Sequence, residues 1–276
     1  MAEKKKRMFI SCLSAAFLAL FLSAAAEPVQ AAPLQLALWN PVQLVNEETD
    51  IQGLRINLLY GHNRDVYGVD LGVVNSVERD CCGVQIGAGL NDAGFFNDTD
   101  TPGRLNGVQL GPLINSAGEA AGLQAGILAN LVRGDMQGVQ LSWLVNVVMD
   151  DSCGLQAGLA NVTGNNATGA QVALGIIAAL NVAKQVHGAQ VSAGILALNK
   201  ADSVSGLQLT VGLLGNYAGD VDGIQIAATC NLARRVRGLQ LGLVNYCRSL
   251  SGMQVGLVNI VSGSGLPACP LISARW

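Results

Sequence analysis

Few side chains in this sequence could do chemistry, and their spacing argues against a catalytic site. His62 and His187 are the only two histidines in 276 residues. His62 falls in the turn Gly61–Asp65 and His187 stands just before an expected strand. Neither has a nucleophile motif beside it, so a Ser-His-Asp or Cys-His arrangement lacks its parts. The paired carboxylates Asp150-Asp151 sit in a turn, where a solvated face is the expected role. Asn97-Asp98-Thr99-Asp100 offers the oxygen donors that calcium takes, but within the longest connection, 92–104, it reads as an ordinary solvated loop. Arg133-Gly134-Asp135 matches an integrin-binding tripeptide and reads here as one more turn. The glycines recur through every strand rather than opening a helix, so no phosphate-cradling loop is present. Beyond the first 31 residues lie Cys81, Cys82, Cys153, Cys230, Cys247 and Cys269, in no CxxC pattern. Cys230 with Cys247, one repeat apart, is the best candidate pair, and small buried thiols are the alternative. No catalytic residue, cofactor or metal is expected, and the chain is read as non-enzymatic.

Composition narrows the class further. The chain is half hydrophobic, 13% charged and 4% aromatic, which excludes a disordered polymer. A pI near 5.3 leaves no basic footprint for nucleic acid. Residues 1–31 read as an export signal: Lys4, Lys5, Lys6 and Arg7, an apolar stretch from Met8 to Ala26, then Val29-Gln30-Ala31 before the cleavage point. An uncleaved anchor is the alternative. The remaining residues 32–276 form one domain with 12 basic and 17 acidic residues, a net charge of −5.

The elements that would position any site come from a repeat. Glycine, an apolar residue, usually Gln, and another apolar residue recur thirteen times, from Gly53 to Gly252. The intervals are mostly 14 to 19 residues, with one of 24. Gln fills the second place after glycine in eleven units; Arg55 and Asp70 are the exceptions. A degenerate copy, Leu34-Gln-Leu-Ala-Leu-Trp-Asn40, precedes them. Within a unit the period is two: Leu239, Leu241 and Leu243 point one way, and Gly238, Gln240 and Gly242 the other. The apolar residue two before each glycine, such as Val186, Val204 or Val236, shares the Gly/Gln side. Asn closes the strand, as at Asn75, Asn146 and Asn245, and turn residues follow. Two glycines per eight residues make helix costly, at about 1 kcal/mol each.

The head segment Pro33-Leu-Gln-Leu-Ala-Leu-Trp-Asn-Pro-Val-Gln-Leu44 resembles the surface repeat-containing proteins of diderm bacteria. So do Gly53-Leu-Arg-Ile-Asn-Leu-Leu-Tyr-Gly-His-Asn63, Gly68-Val-Asp-Leu-Gly-Val-Val-Asn75, the serial Gly-Leu-Gln-Leu-Gly-Leu-Val-Asn units and the tail Gly265-Leu-Pro-Ala-Cys-Pro-Leu-Ile272. This chain carries fewer aromatics and more alanine, mostly over 167–200. The resemblance implies an exported protein of the outer membrane or cell surface, and it supplies no catalytic residues.

Two closures of the array are open. In the first, an all-β antiparallel meander of about 14 strands closes as an outer-membrane β-barrel, a possible small-solute pore. The Leu stripe then faces lipid, and Gln109, Gln140, Gln171, Gln208 and Gln240 line the lumen. Ile272, Ala274 and Trp276 form the C-terminal assembly strand, and the partners are the lipid bilayer and the outer-membrane assembly machinery. Stepwise shortening of the strands from Ala167 to Asn245 suits hairpins. Missing aromatic girdles argue against it. In the second, a surface-exposed structural or adhesive β-solenoid places the Leu stripe inside and the Gln ladders outside. On that arrangement Leu241→Asp unfolds the coil.

Overall fold

In the computed structural model of the chain, residues 31–96, 102–263 and 268–276 are described. Residues 1–30 of the expected leader, the Asn97–Asp100 cluster and the start of the Gly265 tail segment lie outside them. The described residues are built from β-strands and turns throughout.

The path of the chain follows from one central unit. The strand Met136–Leu141 carries Gly138 and Gln140, the chain turns through 142–144, and the strand Val145–Val148 carries Asn146. A second turn then leads into Ser152–Gly158, which lies parallel to Met136–Leu141 with Gly154 beside Gly138 and Gln156 beside Gln140. Asn161 likewise lies beside Asn146. Like stacks on like from one repeat to the next, so each repeat is one coil of a parallel β-solenoid. One face is built from glycine- and glutamine-bearing strands, the other from asparagine-bearing strands.

This corrects the barrel reading. A meander barrel needs antiparallel neighbours joined by hairpins, and the Asn turn is not a hairpin: it carries the chain from one face to the other. The variable intervals are absorbed without loss of register. From glycine to asparagine there are 12, 11 and 10 residues at Gly169–Asn181, Gly188–Asn199 and Gly206–Asn216, against 7 at Gly154–Asn161 and Gly238–Asn245. Yet Gln171, Gln190, Gln208 and Gln225 stay stacked, as do Asn181, Asn199 and Asn216. The extra residues swell the turn between the two faces, and Ala173, Ala179 and Ala197 fill the inside of that swelling. The stepwise shortening is a tapering bulge rather than a series of hairpins.

Glycine is required where the coils press together. Gly138 has φ +135°, and a Cβ built there would stand 2.0 Å from the carbonyl oxygen of Gly122 in the coil below. Gly238 repeats the geometry, φ +139° and 2.0 Å from the Gly223 oxygen. A side chain there meets both a disfavoured backbone region and a backbone atom.

Antiparallel pairing occurs at the two ends, where it caps the stack. At the start, Val42–Gln43 folds back on Ala32–Trp39, and the Leu44 amide donates to the Leu36 carbonyl. At the end, Ala268–Arg275 lies antiparallel on Ser249–Val261. Ile272, Ala274 and Trp276 of that strand face solvent, with Trp276 fully exposed. The expected assembly strand is therefore a cap, and it carries Pro270 and a left-handed Leu271 (φ 66°), both of which discourage addition of a further strand.

Candidate functional surface

The Leu–Gln alternation resolves with the glutamines inward. Gln109, Gln140, Gln171, Gln208 and Gln240 are buried, and each donates from Nε2 to the Oε1 of the glutamine one coil earlier at 2.7–2.8 Å. The ladder runs through eleven glutamines from Gln254 down to Gln85. The interior is filled by these amides, so the glutamines line no lumen. The solenoid alternative had the sides reversed: Gln240 is buried, while Leu241 is 42% exposed.

A second ladder runs beside it. Each asparagine of this ladder, from Asn57 to Asn245, donates from Nδ2 to the Oδ1 of the ladder asparagine one coil later, as Asn130 to Asn146 at 2.9 Å and Asn146 to Asn161 at 2.8 Å. From Asn75 on, Nδ2 also donates to a backbone carbonyl near the end of a glutamine strand of the next coil, as Asn146 to Ala157 at 2.8 Å. Glutamine amides therefore point toward the start of the chain and asparagine amides toward its end. Two polarised chains of opposite sense sit side by side in a dry interior, where each bond strengthens the next. Small apolar residues flank them, including Val132, Met136 and Val148.

The two exceptions to the Gln rule are the same ladder in ionic form. Gln85 donates to Asp70 at 3.0 Å, and Arg55 closes a two-bonded pair onto Asp70 at 2.7 and 2.5 Å. Both charges are fully buried. Asn57 also donates to Asp70, which joins the two ladders at this end. Beyond it, Gln35 bonds the Val45 backbone through both its amide atoms at 3.1 Å. Asn57 escaped the sequence reading because it stands out of phase; the visible signal was Gly61 in the asparagine place, where a Cβ would overlap the Asn57 side chain.

The outer surface divides by chemistry. One edge, where the asparagine strands turn into the next coil, carries ion pairs: Arg64 with Asp50 at 2.8 Å, Arg104 with Glu119 at 2.8 Å, and Arg234 and Arg235 with Asp220. The Arg235 guanidinium beside it holds the Asp220 carboxyl well below the usual carboxylate range. Asp150-Asp151 and Arg133-Gly134-Asp135 fall on this edge as turns. The opposite edge, where the glutamine strands turn into the asparagine strands, is apolar along the stack. Its tips include Leu58, Ile127, Trp143, Ile176, Leu213 and Leu257, with Ile176 89% and Trp143 80% exposed.

The side chains that the sequence offers for chemistry are spread over the stack among the described residues. Cys153, Thr168 and His187 are register partners in successive coils, so Cys153 and His187 stand two strand spacings apart, about 10 Å, beyond hydrogen-bond reach. His62 is half-buried; its Nδ1 lies 3.1 Å from Ser76 Oγ, and burial lowers its pKa. Asp92 is buried, accepts from the Ser116 hydroxyl at 2.7 Å, and is pushed up to about 6 by burial. The six cysteines among the described residues are free thiols. Cys230 and Cys247 do not pair, because Cys230 faces outward one place before its asparagine and stacks on Val244, while Cys247 faces inward two places after its own and stacks on Val261. Burial pushes the Cys81 thiol up to about 12, which leaves it a protonated packing group. Among the described residues no cluster of three or more His, Cys, Asp or Glu could hold a metal ion, and no helix is long and apolar enough to cross a membrane.

The fold and surface define a parallel β-solenoid with an amide-filled interior and segregated apolar and charged edges. Comparison with family profiles, curated proteins and solved structures returns no match.

Proposed function

We propose that the chain is an exported, non-enzymatic structural or adhesive rod of the bacterial cell envelope. The observation that carries this reading is the continuous pair of interior ladders, which ties the coils from Arg55 to Asn259 into one stack about 60 Å long. Such a stack spends its polar side chains on its own rigidity and presents long surfaces rather than a cleft. The resemblance of the head segment and repeats to surface repeat-containing proteins supports the envelope placement, as does the signal-like segment 1–31. A role as a pore is not supported, because the interior is occupied by side chains.

The test is the fate of the first 31 residues and of the rod in a diderm host. Expression with a C-terminal epitope should give a mature N-terminus at Ala32 and an epitope recovered with the cell envelope. A chain that keeps residues 1–31 and stays in the cytoplasmic fraction overturns the proposal.

A further inference from the structure

The apolar edge is too large and too uniform to be incidental. Monomers rarely expose contiguous apolar patches above a few hundred Å². Here an apolar ridge runs the length of the stack, about 60 Å by roughly 15–20 Å, on the order of 1,000 Å². No Asp, Glu, Lys or Arg falls in its turns: Leu113 to Ala117, Ala125 to Val132, Leu141 to Val148 and Val172 to Asn181 contain none. The ion-paired charges sit across the rod, on the opposite edge, and Lys200, one place after Asn199, is the exposed charge nearest the ridge. The bulge at the three long coils extends this same ridge outward, and it is built from Leu174, Ile176, Ile177, Ile195, Leu213 and Leu214. The three insertions within 169–216 thus lengthen the apolar tip.

We propose that this ridge docks into the acyl surface of a lipid bilayer, with the rod lying along the membrane, the coils of 169–216 inserted deepest, and the charged edge in water. Lipid fits the ridge better than a second copy of the chain for three reasons. The ridge is convex and its flanks are mainly apolar (Leu141 and Ile224 on one side; Leu131, Val147, Val162 and Val182 on the other, where Lys200 continues the column), so a rigid partner would cover one flank while a fluid surrounds both. The tips carry almost no polar group that would fix a register between two copies, and interfaces normally carry one hydrogen bond per 100–200 Å². Several turn amides are already paired within the stack: Trp143 donates to the Ile127 carbonyl, Ile195 to Ile176 and Leu213 to Ile195. Insertion therefore buries none of these amides unpaired, the condition that hydrocarbon imposes. With the tips uncharged and Lys200 the one cation on the flank beside them among the described residues, where its long stem lets the ammonium reach the headgroup level, attraction is mainly apolar and does not require anionic headgroups. That the bilayer is an envelope membrane rests on the proposed export; the docking chemistry does not.

The experiment is vesicle sedimentation of the full chain with phosphatidylcholine alone, then with added anionic lipid and with added salt. It is compared with a tip variant (Ile176→Ser, Ile177→Ser, Ile195→Ser, Leu213→Ser) and an edge variant (Arg234→Ser, Arg235→Ser, Arg248→Ser), each checked for native circular dichroism. All three carry residues 1–31, so that segment cannot produce a difference. The full chain and edge variant should bind neutral vesicles alike and with little salt dependence, while the tip variant binds at least tenfold more weakly. In a Trp39→Phe, Trp276→Phe background, Trp143 emission should shift blue and be quenched by lipids brominated on their acyl chains. Equal binding by the tip variant, binding only to anionic vesicles, or a vesicle-free dimer with Trp143 unreachable by lipid quenchers overturns the docking, whatever the outcome of the export test.

Discussion

Replacing Gln140 with Leu probes the interior directly. Gln140 is fully buried, donates to Gln124 Oε1 at 2.8 Å and accepts from Gln156 Nε2 at 2.9 Å. Leucine has nearly the same volume, so the substitution removes two hydrogen bonds with little change of packing. It leaves one buried acceptor and one buried donor unpaired, each at about 1–3 kcal/mol. The sum, roughly 2–6 kcal/mol, is offset by at most about 2 kcal/mol from burying the leucine carbons. A net loss of about 3 kcal/mol is expected. The matched control is Leu141→Gln, one residue on and facing out at 40% exposure, which should change stability by less than about 0.5 kcal/mol. Urea unfolding followed at Trp143, in the adjoining turn, reads both. If Leu141→Gln is the more damaging of the two, or Gln140→Leu is neutral, the inward placement of the glutamines is wrong.

Three further outcomes follow from the same geometry. Gly138→Ala forces a methyl to 2.0 Å from the Gly122 oxygen at φ +135° and should cost more than about 3 kcal/mol in the same unfolding assay, whereas Gly134→Ala, whose Cβ has 3.2 Å, should cost under about 1 kcal/mol. Arg55→Gln leaves the Asp70 carboxylate buried without its cation and should lose about 3–5 kcal/mol, while the double change Arg55→Gln, Asp70→Gln extends the neutral ladder and should restore most of it; a double variant no better than the single refutes the ladder account of this pair. Asp92 titrates near 6 folded against 3.8 unfolded, so the folded state holds its proton more tightly and stability falls as pH rises from 4 through 6, by about 3 kcal/mol in full. Asp92→Asn should abolish that loss, so that the difference between wild type and variant grows with pH; a difference constant from pH 4 to 7 excludes the burial assigned to Asp92.

Much of this architecture is written in the sequence. The all-β array, its repeat unit and its two-residue alternation are all legible there, because glycine, glutamine and asparagine recur at fixed places. Which stripe faces in is less so. The usual rule that leucine goes inside fails here because an unbroken stack lets each Gln140-type amide satisfy its neighbour, so burial carries no unpaired polar cost. One cue was available: Val186, Val204 and Val236 share the Gln side and are buried, and that side is uniform from repeat to repeat. The Leu side varies freely, from Leu241 through Trp143 to Ala228 near the turns, as an unconstrained exterior does. The direction of closure could not be read from spacing alone, since a 15-residue period fits either a hairpin or a coil. The bulge at 169–216 looked like shrinking hairpin strands because its extra residues preserve the turn chemistry at both ends. The ion-paired rung at Arg55 and Asp70 looked like two failures of the repeat, and only stacking shows that they answer each other.

Side-chain amide hydrogen exchange of the glutamines, read by NMR on labelled protein, tests the central arrangement most directly. The eleven ladder glutamines, from Gln85 to Gln254, should exchange many orders of magnitude more slowly than Gln52, Gln137 and Gln185, which face solvent. Glutamine amides that all exchange at the rate of the solvent-facing three would contradict the amide-filled solenoid.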